Sequence, residues 1–119
     1  MPSETSAPRR WLADIRYNIL LARSFVEAVH VEAFEVDTLR IYAVTRCREI
    51  ISEASRRLPE DLRRRHPGIA WKEMAGAGNI YRHEYEDVAP RRLWRTVQHD
   101  LLELLDVVDQ ELALPGKDR

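Results

Sequence analysis

Apolar residues recur at three- and four-residue spacing along three long stretches of the chain. This is the period of an α-helix that buries one face, so each stretch predicts an amphipathic helix that packs against the others. The apolar stripes are Trp11, Ile15, Ile19, Ala22, Phe25, Val26 and Val29 in residues 9–30; Ile41, Val44, Cys47, Ile51, Ala54 and Leu58 in and just after residues 37–57; and Trp94, Val97, Leu101, Leu104, Leu105, Val108 and Leu112 in residues 90–113.

Helix-breaking residues divide the chain at a few places only. Residues 9–58 and 91–114 contain neither proline nor glycine, which favours long helices. One straight helix of fifty residues would extend about 75 Å, too long for a compact domain. We therefore predict a break in HVEAFEVD, residues 30–37, with Asp37 as the N-cap of the second helix.

The remaining segments complete an all-helical picture. PEDLRRRHPG, residues 59–68, is a polar connector with room for a short helix, and a further helix is expected over about 69–84. Pro90 suits the first turn of the last helix. Alternating strand patterns are missing, so the prediction is an all-α, antiparallel bundle of four to five helices. It forms one domain over residues 9–114, between a disordered tail at 1–8 and a second tail at 115–119.

Composition narrows the class of protein without naming a function. The 119 residues are 45% hydrophobic and 33% charged, with a net charge of −1, which suits a soluble globular domain. Nucleic-acid binding would need a local basic patch such as residues 63–65 or 91–95, although a solvated helix face is the more ordinary explanation of these arginines.

The opening MPSETSAPRR lacks the apolar core of a signal peptide, and no run is long enough to span a bilayer. A cytoplasmic protein without a membrane partner is expected. The single cysteine, Cys47, excludes an intrachain disulfide and a multi-cysteine metal site. It lies on an apolar stripe, which predicts a buried thiol.

Unusual side chains concentrate in AGAGNIYRHEYEDVAP, residues 75–90. On a helix Asn79, Arg82, His83 and Glu86 are three or four residues apart and share one face. Arginine and asparagine can bind a phosphate, and a histidine that titrates near neutral pH can accept or donate a proton. The stretch therefore predicts a polar, phosphate-compatible face.

Less specialised roles remain open for the same residues. A single histidine near a helix end is often a cap or a surface group, and the tyrosines of this stretch often pack at a bundle edge. Gly76 and Gly78 without a preceding strand indicate a close helix contact rather than a nucleotide-binding loop. The histidines show no zinc-type spacing, so neither a metal nor a cofactor is expected.

Three segments closely resemble the HepT-like family of the HEPN (higher eukaryotes and prokaryotes nucleotide-binding) superfamily. They are REIISEASRRLP at 48–59, GIAWKEMAGAGNIYRHEYEDV at 68–88 and LWRTVQHDLLELLD at 93–106. The most specific features are the Ile-Ala-Trp entry, the Gly-Asn before the histidine and the His-x-Tyr of His83 and Tyr85.

The resemblance implies a HEPN-like homodimer whose polar faces meet in a cleft. It also implies a metal-independent endoribonuclease that is the toxin of a type VII-like toxin–antitoxin pair. The antitoxin of such a pair is a minimal nucleotidyltransferase that can adenylylate the tyrosine of the motif, here Tyr85. Carried across, His83 would be the general acid/base acting on RNA, supported by Asn79 and less directly by Glu53.

The sequence departs from the family pattern at one position. An arginine is expected five residues before the histidine, where this chain has Gly78. Arg82 is the nearest substitute, although the two positions differ by about 100° around a helix. The departure leaves an alternative open, a non-catalytic HEPN module that binds a nucleotidyltransferase partner or a nucleotide. A purely structural four-helix protein is the third possibility.

Overall fold

A computed structural model describes the backbone of residues 2–76 and 89–115, and these residues form helices and no strand. The all-α prediction is therefore confirmed. The helices are α1 (Pro2–Val26), α2 (Val31–Phe34), α3 (Thr38–Arg56), α4 (Glu60–Arg64), α5 (helical over 71–76, where the first described range ends), α6 (Ala89–Arg95), a π-helical turn (Thr96–Asp100) and α7 (Leu101–Ala113).

The long helices run antiparallel, as predicted. Near the end of α1 and the start of α3, Arg40 Nε donates to the carbonyl of Phe25 at 2.9 Å. At the opposite end, the guanidinium of Arg57 lies 5.1 Å from the ring centroid of Trp11. Helix α7 also runs antiparallel to α1, since Arg9 near the start of α1 donates to the carbonyl of Leu112 at 2.9 Å.

The core lies between α1, α3 and the last two helices, on the faces that the apolar stripes predict. Its members from α1, α3, α6, the π turn and α7 include residues of each predicted stripe. Leu12, Leu93 and Val107 are buried in addition. The short helices α2 and α4 add Phe34 and Leu62 to the core, and this burial stabilises helices too short to be stable alone.

The interruption between the first two long helices lies where the sequence predicts it, but the first helix ends earlier than predicted. Helix α1 ends at Val26 instead of near residue 30, and the short α2 follows. This turn buries Phe34 completely, a contact that the periodicity of α1 does not include. The predicted N-cap is confirmed, since the side chain of Asp37 accepts a hydrogen bond from the backbone N–H of Arg40 at 3.1 Å.

The last helix is not one regular α-helix, which corrects the prediction for residues 90–113. A π-helical turn, Thr96–Asp100, separates α6 from α7. Leu93, Val97 and Leu101 are four residues apart and all buried. A regular helix also keeps this spacing within one face, since each step of four residues turns it by about 40°, so the apolar pattern does not predict the π turn.

The remaining helix limits agree in part with those predicted from the sequence. The short helix expected in the connector is α4, and α7 ends at Ala113 as predicted. Helix α1 begins at Pro2, so it extends into the residues assigned to an N-terminal tail, and the domain limits remain a prediction. Among the described helices, none combines the length and apolar character needed to cross a membrane.

Candidate functional site

The predicted site lies largely outside the residues that the structure describes. Only Glu53 is in the described part, on α3. The site residues that fall in 77–88 are Gly78, Asn79, Arg82, His83, Tyr85 and Glu86. The structure therefore describes the helices on either side of this segment, α5 and α6, and the side chains that contact them.

Helix α3 contacts the end that leads into the segment. Ser52 Oγ donates to the carbonyl of Met74 at 2.8 Å, and Arg56 Nη1 donates to the carbonyl of Ala75 at 2.6 Å. The backbone of α5 is thus fixed from the side by two polar groups of one neighbouring helix. Neither Ser52 nor Arg56 is among the residues predicted from the sequence. Their i, i+4 spacing beside the apolar stripe of α3 is the signal that would have found them.

Glu53 is connected to this contact through Arg56. Its carboxylate pairs with Arg56 Nη2 and with Arg57, whose Nη2 lies at 2.8 Å. Hydrogen bonds from Arg57 and then from Arg56 lower the pKa of Glu53. A carboxylate held ionised in this way is a poor proton donor at neutral pH. Its chemistry suits the positioning of arginines better than acid catalysis.

A cavity of about 260 Å³ lies on another side of α5. Arg48 of α3 borders it and is only 7% exposed. The other lining residues come from the end of the connector and the two residues after it, α5, the π turn and α7: Gly68, Ile69, Ala70, Glu73, Met74, Asp100 and Glu103. Three carboxylates and one guanidinium line this wall, so its formal charge is negative and does not favour an anionic ligand.

The far end of the segment is attached to α2 and to the residues before it. Arg91 in α6 makes a two-point ion pair with Glu35, with Nε···Oε1 at 2.9 Å and Nη2···Oε2 at 3.0 Å. Trp94 Nε1 donates to the carbonyl of Val29 at 3.1 Å. Arg91 belongs to one of the predicted basic patches, and here its ion pair holds α6 against the end of α2.

The other predicted basic patch is also partly engaged within the protein. Arg65 makes a two-point pair with Glu111, with Nη2···Oε1 at 2.8 Å, and Arg64 lies 3.3 Å from Glu60. These pairs favour a structural role for part of the patch over a continuous nucleic-acid surface.

The described residues provide no evident metal centre. Over 2–76 and 89–115, no group of three or more His, Cys, Asp or Glu residues could hold an ion. Cys47 is buried, as predicted, and burial raises the pKa of its thiol. A buried thiol with a raised pKa is a poor nucleophile or ligand.

Comparison with known proteins assigns this helical frame to a family. The family described as "Ribonuclease HepT-like" matches residues 15–111, so the chain belongs to the HepT-like family. The match extends from α1 to the last turn of α7 and includes the segment 77–88. No solved structure matches the chain.

Curated proteins from archaea and bacteria are similar over most of their length. "Probable ribonuclease HepT" of Thermococcus cleftensis is 41% identical over 76% of this chain and 83% of that protein. "Putative RNase MJ1216" of Methanocaldococcus jannaschii is 30% identical over 93% of this chain and 96% of that protein. "Putative RNase TTE0752" of Caldanaerobacter subterraneus is 34% identical over 82% and 87%.

Proposed function

We propose that this protein is a metal-independent endoribonuclease that acts in the cytoplasm as the toxin of a type VII-like toxin–antitoxin pair. The observation that carries the proposal is membership of the ribonuclease HepT-like family over residues 15–111. Similar proteins with names that indicate ribonucleases add support.

RNA cleavage of this kind is a transesterification within the substrate, so it needs no external nucleophile. His83 accepts the proton of a ribose 2′-hydroxyl, and the oxygen attacks the adjacent phosphorus. The bond from phosphorus to the 5′-oxygen breaks, and that oxygen takes a proton from an acid, for which the His83 of a second subunit is suited. The products are a 2′,3′-cyclic phosphate and a free 5′-hydroxyl, so DNA is not a substrate.

The neighbouring residues have supporting roles in the proposal. Arg82 offsets the negative charge that develops on the phosphate, and Asn79 orients its oxygens. Glu86 follows His83 by three residues and Arg82 by four in the sequence, and is a candidate partner for either.

Regulation is assigned to a partner protein. A minimal nucleotidyltransferase antitoxin would adenylylate Tyr85, two residues from His83, and the added nucleotide would block the substrate phosphate. Two subunits would place their polar faces in one cleft, so we expect a homodimer. Light scattering at micromolar protein should give twice the 14.0 kDa chain mass. A monomer at that concentration would contradict the composite site.

The test of the activity uses purified protein, checked by mass spectrometry for an unmodified Tyr85, with end-labelled RNA in EDTA. The wild type should produce 2′,3′-cyclic phosphate ends, and His83→Ala should lower the rate by about 10²–10⁴-fold, the usual contribution of an acid or base.

His99→Ala is the matched control, since His99 is exposed in the π turn and has no role in the proposed chemistry. It should cleave at the wild-type rate. Equal cleavage by the wild type and His83→Ala would remove His83 from the mechanism, and no cleavage by unmodified protein on several RNAs would refute the ribonuclease.

Gly78 favours a second candidate function, a non-catalytic HEPN module that binds the nucleotidyltransferase or a nucleotide. Expression without the partner separates the candidates. Growth arrest that is lost in His83→Ala supports the toxin. Normal growth together with a stable complex with the nucleotidyltransferase supports the binding module. If replacing Asn79, Arg82 and His83 together changes neither growth nor partner binding, the role is purely structural.

A further inference from the structure

Two consecutive arginines at the end of α3 share one carboxylate but face different neighbours. Arg56 Nη2 and Arg57 Nη2 pair with the two oxygens of Glu53. Arg56 also donates to the carbonyl of Ala75 at 2.6 Å, whereas the guanidinium of Arg57 lies over the ring of Trp11. Of these two arginines, Arg56 is the one whose described contacts include the helix that leads into the segment 77–88.

The position of Arg56 relative to that segment follows from chain length alone. Ala75 precedes Gly78 by three residues, and three residues span at most about 11 Å on any path. The guanidinium hydrogen-bonded to Ala75 is consequently close to the beginning of the segment. This bound holds for every conformation of the intervening residues.

Arg56 retains the capacity to bind a further anion. Its side chain is 46% exposed, so solvent and a ligand can reach it. Within residues 2–76 and 89–115, its bonds to Glu53 and Ala75 use two of the five N–H donors of a guanidinium. One carboxylate shared by two arginines leaves the trio with a net positive charge, which favours an anionic ligand.

The two existing contacts also fix the orientation of the guanidinium before a ligand arrives. An arginine restrained at two points loses less side-chain entropy on binding than a free one. Its planar fork matches two oxygens of a phosphate. These properties distinguish Arg56 from the freely solvated arginines of the surface.

We propose that Arg56 binds a phosphate of the RNA beside the segment 77–88, with Glu53 and the carbonyl of Ala75 as the groups that position it. This inference rests on the proposed ribonuclease function for the identity of the ligand. It assigns Arg56 to substrate binding and gives Glu53 a positioning role.

The test compares Arg56→Gln with Arg57→Gln. Both remove one positive charge from the same helix end and one ion pair from Glu53, but only the first removes the contact with Ala75. The probe is a 2′-O-methyl RNA strand, which keeps the phosphates and cannot be cleaved. Its dissociation constant is measured by fluorescence anisotropy over a series of salt concentrations.

Arg56→Gln should weaken binding about tenfold and reduce the slope of log affinity against log salt by about 0.7, the value for one lost phosphate contact with a single strand. Arg57→Gln should change the affinity less than about twofold by the same reasoning. Equal losses in the two variants, or no loss in Arg56→Gln, would overturn the proposal. Melting temperatures that match between the two variants show that the fold is equally intact.

Lysine variants test the fork itself and replace the first pair if a glutamine variant does not fold. Arg56→Lys keeps the charge but cannot bind two oxygens in one plane. It should weaken binding with an unchanged salt slope, while Arg57→Lys should bind as the wild type does. Equal affinity of Arg56→Lys and the wild type would overturn the proposal.

Failure of the inference differs from failure of the proposed function. If the wild type cleaves RNA but Arg56→Gln and Arg57→Gln bind the probe with equal affinity, the ribonuclease function stands and Arg56 is not part of its site. Selective loss of RNA binding in Arg56→Gln, with a wild type that never cleaves, would retain the phosphate site and remove the ribonuclease.

Discussion

Glu111 shows how one buried carboxylate connects distant parts of this chain. Its side chain is 6% exposed. It accepts two hydrogen bonds from Arg65 and lies 2.6 Å from His66 Nε2. The connector after α4 is thereby joined to the last turns of α7. Burial opposes ionisation of Glu111, but the bonds from Arg65 and His66 outweigh it and lower the pKa of the carboxyl.

The lowered pKa predicts a loss of stability in acid. Ionised Glu111 stabilises the fold fully above the unfolded-state value of 4.5, and this contribution disappears as the pH falls through the lower folded-state pKa. In Glu111→Gln the melting temperature should decline less steeply between about pH 5 and pH 3. At neutral pH we expect a loss of about 1–3 kcal/mol in unfolding free energy.

Asp106→Asn is the matched control for this prediction, because Asp106 is exposed on the same helix. Melting curves at several pH values should leave its acid sensitivity close to that of the wild type. If Glu111→Gln retained the full acid sensitivity of the wild type, the Arg65–Glu111–His66 cluster would not be its source.

At the scale of the element, the start of α3 depends on one side chain. Asp37 accepts the backbone N–H of Arg40 and pairs with the Arg40 guanidinium at 2.8 Å. Its pKa is lowered, first by the backbone hydrogen bond of Arg40 and then by the Arg40 side chain. Helix α3 also carries Ser52 and Arg56, which contact α5. The position of α3 therefore affects that contact.

Replacing this cap should destabilise the protein by a moderate amount. Asp37→Ala is expected to lower the unfolding free energy by about 1 kcal/mol in urea titrations, the usual contribution of an N-cap. Asp37→Asn keeps a capping oxygen and loses only the exposed ion pair, so it should retain most of the stability. A similar loss in both variants would mean that the ion pair, and not the cap, stabilises the helix start.

At the scale of the whole molecule, stability depends on the side of each helix that meets the core. Leu104 of α7 is fully buried, whereas Leu102, two residues earlier in the same helix, is 41% exposed. Leu104→Ala should cost about 2–5 kcal/mol through lost contacts and a cavity. Leu102→Ala should cost less than about 1 kcal/mol, since its side chain is already partly in water.

Chemical denaturation of the two leucine variants gives a direct comparison at constant composition. Similar losses in unfolding free energy would contradict the assignment of the α7 core face. The comparison would also detect a second subunit, because burial of Leu102 in a dimer would raise the cost of Leu102→Ala and make it depend on protein concentration.

The sequence by itself determined the helical class, the buried faces and one helix start. Helical periodicity records which side chains avoid water, so residues such as Ile15, Ile51 and Val108 could be assigned to the core without coordinates. The Asp37 cap is a local interaction and was likewise predictable. The motif with His83 and Tyr85 indicated the family through residue order alone, which family membership then confirmed.

Only the tertiary structure decided which polar residues of different helices meet. The bonds from Arg56 to Ala75 and from Arg65 to Glu111 join positions 19 and 46 residues apart, and no local periodicity encodes such pairs. The π turn at Thr96–Asp100 is likewise visible only in the structure, since the spacing of Leu93, Val97 and Leu101 fits a regular helix as well. Contacts between helices form when apolar faces pack, and that packing selects the polar partners at their edges.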